Sequence, residues 1–143
     1  MSRMNNPGGE RGNEDGRSEV LRRADAGAAA WRGVVHAQQA ATPDHGEFYE
    51  LAGFMVETLR ALEALAGVLS RQATGYADGL SVGRVVYDDT RAVDPRIRLE
   101  TARMELSSLV QSAAWADGYA NQFWSAIGHI GVEDAPAAPQ VSR

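Results

Sequence analysis

The chain contains neither cysteine nor lysine. The first absence excludes disulfides, thiolate metal sites and a cysteine nucleophile. The second excludes a phosphate-binding P-loop, because Gly-x-x-x-x-Gly-Lys needs its ammonium group. A Gly-x-Ser-x-Gly nucleophile elbow is missing too. No apolar run approaches the roughly 20 residues of a membrane-spanning helix, and no basic, apolar, small-residue leader opens the chain. Positive charge is in deficit: 14 basic residues face 19 acidic ones, for a net charge of −5. That balance is wrong for gripping phosphate backbones. These absences point to a soluble, cytoplasmic protein, away from nucleic acid and membranes, with no cofactor implied.

What is present is alanine, glycine and arginine: 24 alanines, 15 glycines and arginine as the sole strong base. GC-rich codons favour all three, whereas lysine codons are AT-rich. The bias reflects a high-GC bacterial source, such as an actinobacterium, rather than a function. A length of 143 residues suits one domain, or a small core with loose ends. Residues Met1 to Gly16 hold almost nothing to bury and read as a disordered N-terminal tail. Asp134 to Arg143 carry two of the five prolines and read as a second tail. Residues 17–133 remain for a helical bundle domain.

Inside that domain the apolar period is helical. Val20, Ala24, Ala28, Trp31 and Val35 mark a first helix from Arg17 to about Ala41, with Ser18 as its cap. Thr42-Pro43 interrupts, because the residue before proline avoids helical angles. Asp44, with Glu47 three residues on, starts a second helix as an acidic version of the capping box. Its stripe alternates by fours and threes through Phe48, Ala52, Met55, Leu59, Leu62, Ala66, Leu69, Ala73 and Tyr76. Leu51, Phe54, Leu65 and Val68 broaden it. A loop over 79–93 follows, longer than a usual helical turn. Asp94-Pro95 opens a third helix with a cap and a first-position proline. Its stripe passes through Leu99, Ala102, Leu106, Leu109, Ala113, Ala116, Ala120, Phe123, Ile127 and Ile130.

The expected fold is all-α: an elongated three-helix core built on a long antiparallel hairpin, with the first helix alongside. The antiparallel arrangement gathers Phe48, Tyr49 and Phe54 beside Phe123, Trp124 and Ile127, so one end is rich in aromatics. Trp115 and Tyr119 are four residues apart, one above the other on a face beside the stripe. Trp124 flanks the other side. The expected candidate interface is therefore Trp115, Tyr119, Trp124, Phe48 and Phe54, either covered by the first helix or facing a second copy or protein partner.

Chemistry is thinly represented. His36, His45 and His129 form no i, i+4 pair and no Glu-x-x-His. A carboxylate–histidine site from His45, Glu47, Glu50 and His129, with Glu133 nearby, is geometrically conceivable at the aromatic end. It would make the chain a metal-dependent helical enzyme; ordinary solvated residues are the simpler reading. Arg84, Asp88, Asp89 and Arg91 make the loop a dense polar cluster, which reads as carboxylates answered by arginines, or as a site of polar recognition. From Arg84 to Arg103, five arginines meet four acidic residues, too even a balance for a nucleic-acid footprint.

Trp31-Arg32-Gly33 resembles the Trp-x-Gly of the helical-hairpin proteins exported by actinobacterial type VII secretion. That family places the motif in the turn between two helices and follows the second with Tyr-x-x-x-Asp/Glu. Here the tripeptide falls inside a helix, and Tyr119 is followed at the fourth position by Phe123. The third helix with its His129-Ile130-Gly131-Val132-Glu133 ending is similar to small actinobacterial helical proteins, a resemblance that implies no activity. The reading is a non-enzymatic helical interaction protein; the alternatives are a secretion-associated hairpin and the metal-dependent enzyme.

Overall fold

The computed structural model describes residues 16–136. Of the tails expected at 1–16 and 134–143, residues 1–15 and 137–143 lie outside the described residues. Among the described residues there are three helices and no strand: α1 (Glu19–Ala40), α2 (His45–Gly75) and α3 (Pro95–Gly128). The chain divides into two units, residues 1–42 and 43–143.

The first unit is α1. Ser18 caps it, its hydroxyl accepting from the Leu21 amide at 3.3 Å. Glu19 in the first turn accepts from Arg23 at 2.7 Å and Arg22 at 2.5 Å, and these bonds hold its carboxyl below the usual carboxylate range. Trp31-Arg32-Gly33 lies well inside the helix. No α1 residue is fully buried.

The second unit is a hairpin of α2 and α3. Asp44 caps α2 by accepting from the Glu47 amide at 3.1 Å. Asp94 caps α3 by accepting from the Arg96 amide at 2.9 Å, with Pro95 in the first turn. At 31 and 34 residues the helices are about 45 and 50 Å long. They run antiparallel, because rising positions on α2 meet falling positions on α3. Tyr49 packs against Trp124, Arg60 pairs with Asp117 at 3.0 Å, and Asp78 just past α2 faces Arg96 at 4.0 Å.

The seam follows the expected stripes in part: Ala52, Ala66, Ala113 and Ala120 are buried as expected, and Val56, outside the expected stripe, is buried with them. The buried positions are Ala52, Val56 and Ala66 on α2, and Ala113 and Ala120 on α3. Met55, Leu62, Leu69 and Tyr76, expected to pack, are exposed, as are Leu109 and Phe123. The reason is that α2 offers two overlapping stripes, which share Ala52, Leu59, Ala66 and Ala73 and differ by one position, about 100° round the helix, where one uses Met55 and Leu62 and the other Val56 and Glu63. The alanine-rich stripe lets backbones approach to about 8 Å, whereas leucines on both sides hold helices further apart. Close packing takes the small residues, and the large ones stay outside.

Candidate interaction surface

The aromatic end is where α2 begins and α3 finishes. Tyr49 and Trp124 meet there with ring centroids 5.6 Å apart at 55°, a tilted pairing that suits their quadrupoles. Gly53 makes the contact close: a Cβ at this position would lie 3.4 Å from the Trp124 ring. At Gly128 a Cβ would come within 3.2 Å of the Tyr49 ring. Trp124 thus packs across the hairpin and is part-buried. Its indole Nε1 is buried and has no hydrogen-bond partner among the described residues. Tyr49, Asn121, Trp124, Ser125, Gly128 and His129 line an open groove of about 400 Å³ beside it.

The other expected interface residues divide. Phe48 is half-buried, while Phe54 is exposed. Trp115 and Tyr119 are 66% and 72% exposed, flanking a shallow depression of about 440 Å³ with Ala114, Gly118 and Gln122. Of the five, these two project furthest into solvent.

The apolar surface extends beyond the aromatic end. One position before each α2 seam residue stand Leu51, Met55, Leu62, Leu65 and Leu69. The corresponding α3 positions include Leu109, Ala116, Tyr119 and Phe123. In an antiparallel pair the same offset on both helices faces the same way, so these residues form one long side of the hairpin. Leu62 is 51% and Leu69 42% exposed on it. The opposite side carries Glu57, Arg60 and Arg71 from α2, and Ser107, Gln111 and Asn121 from α3. A sequence signal for the apolar side was present: between Leu106 and Gly128 the only charged residue is Asp117. Asp117 binds Arg60 at the seam and its polar edge. An exposed helix face normally alternates charge with polarity.

The polar loop is held together internally. Asp88 is 6% exposed and accepts from the Thr90 hydroxyl, from the Ala92 and Val93 amides at 3.2 and 3.3 Å, and from Arg98 of α3 at 3.0 Å. The Thr90 bond is the main cause of a carboxyl pKa lowered to about 2; burial opposes it, and Arg98 and the two amides reinforce it. Arg91 adopts a positive φ of 57° and lies 4.1 Å over the Tyr87 ring, a cation–π contact. Arg84 and Asp89 are exposed. Asp88 therefore fastens the loop to the start of α3.

Among the described residues, no group of three or more His, Asp or Glu side chains is placed to hold a metal ion. His45, Glu47, Glu50 and His129 are not brought together as one. No helix of the described residues is long and apolar enough to cross a membrane. The chain matches no protein-family model, no curated protein and no solved structure.

Proposed function

We propose that this is a non-enzymatic helical interaction protein that self-associates, or docks a protein partner, through the aromatic-rich end of its hairpin. The observation that supports it is the exposure of Trp115 and Tyr119, side by side on α3. Large aromatics give contact area at a small cost in side-chain entropy and dominate interface energetics. A tryptophan two-thirds exposed beside a tyrosine more exposed still is a costly use of apolar surface unless something covers it. A chain without cysteine needs no oxidising compartment, and the cytoplasm is the compartment we propose.

The test is Trp115→Ala with Tyr119→Ala in the full chain, followed by light scattering for mass and circular dichroism for helicity. The expected result is a changed assembly state, or loss of a co-purifying partner, at nearly unchanged helicity. An unchanged assembly state, or collapse of helicity at every protein concentration, would contradict the proposal.

A further inference from the structure

We propose that a second copy of this chain covers the long apolar side of the hairpin, so that two α2–α3 pairs close around a shared four-helix core. The proposal rests on the interaction reading above and adds to it the surface and the occupant.

The hairpin's own core is thin. Its buried apolar residues are Ala52, Val56, Ala66, Ala113 and Ala120, and Val56 is the largest side chain buried throughout. Two helices joined along an alanine seam make one layer, and a stable domain requires a second layer against its apolar face. The larger side chains lie on that face. Met55, Leu62, Leu65 and Leu69 stand on α2, and Leu109 and Phe123 on α3, each between two-fifths and three-fifths exposed.

Area and charge identify the occupant. With Tyr76 and Tyr119 added, and roughly 200 Å² for a fully exposed large side chain, this side offers about 800 Å². A standard interface buries about 800 Å² on each partner, so one further copy suffices. The α2 stripe from Leu51 to Tyr76 has no charged residue. Interfaces formed on transient encounter keep a surface-like polar content, whereas obligate homodimer interfaces resemble a domain core cut in half. This side has the second character. A two-fold axis also lets one apolar side serve both partners.

The experiment measures the mass of the full chain by light scattering across a concentration series. The variants are Leu62→Glu with Leu69→Glu on the apolar side, Ala64→Glu with Gln111→Glu on the polar side as control, and the milder Leu65→Ala. The expected results are a dimer for the parent chain and the control, and a helical monomer for the Leu62/Leu69 variant. For Leu65→Ala the dissociation constant should rise tenfold or more. Should the double-glutamate variant fail to fold, Leu65→Ala decides alone. A parent chain monomeric at every concentration overturns the proposal, leaving the side to α1 or to a different protein. A dimer indifferent to Leu62, Leu65 and Leu69 also overturns it, while the Trp115–Tyr119 reading survives. Loss of the dimer in the polar-side control as well would show a general charge effect, and that too overturns it.

Discussion

Three tryptophans show how differently one residue type can be placed by its neighbours. Trp124 is set against Gly53 and Tyr49, Trp115 stands in solvent, and Trp31 is half-buried in α1. Trp124→Ala should therefore cost about 2–3 kcal/mol of stability, below the full range for a completely buried ring. Trp115→Ala should change the unfolding of the dissociated chain by no more than about 0.5 kcal/mol. Urea denaturation at low protein concentration checks both. The sequence placed Trp115 and Trp124 towards one end of the hairpin but not their orientations, because side-chain direction depends on which stripe the seam uses. Gly53 held the missing clue, since a glycine opposite a tryptophan admits the ring where a larger residue would exclude it.

Asp88 carries a second prediction at this scale. Its pKa is depressed in the folded state, so its stabilising contribution is complete above the ordinary aspartate value of 3.8 and disappears as pH falls towards about 2. The Ala92 and Val93 amides, followed by NMR, should be released over that acid window. Asp88→Ala should release them at neutral pH. Persistence of both amide signals in the variant would show that other contacts fasten the loop. The Asp88-Asp89 pair was visible in the sequence. That one aspartate holds the loop and its neighbour faces water depends on the turn around Thr90 and on Arg98, four residues into the next helix.

At the scale of elements, the helix starts were legible because their signals are local. Ser18, Asp44 and Asp94 each cap the helix that follows. Replacing Asp94 with alanine should remove about 1 kcal/mol of stability, measurable as a lower urea midpoint with unchanged slope. Asp94→Ser should restore most of it. The seam was less legible. A four-three spacing fits Ala52, Leu59, Ala66 and Ala73 together with either Met55 and Leu62 or Val56 and Glu63. Periodicity alone cannot choose between stripes one residue apart. Packing chose the one that brings backbones closest, and it accepted Glu63 and Asp117 at the margins because their carboxylates still reach water or an arginine.

For the whole molecule, that choice converts a small ambiguity into the main functional inference. Had Leu62, Leu69, Leu109 and Phe123 packed inside, the hairpin would present little apolar surface. With them outside, it has one apolar side, whose α2 stripe from Leu51 to Tyr76 carries no charge, and one polar side. Association through such a side is driven by apolar burial, so it should persist at about 0.5 M salt, where surface ion pairs are screened, and strengthen with sulfate. Sedimentation at increasing ionic strength checks this. Dissociation by salt would point instead to the charged residues of α2 and the loop.

Native mass spectrometry of the full chain, purified without added metal or chelator, tests the central claim most directly because it reports subunit number and bound mass together. Self-association predicts bare species at multiples of the 15.3 kDa chain mass, with the dimer growing as concentration rises. A monomer carrying a metal or small-molecule adduct at every concentration would contradict it and direct attention to the groove beside Trp124 and His129.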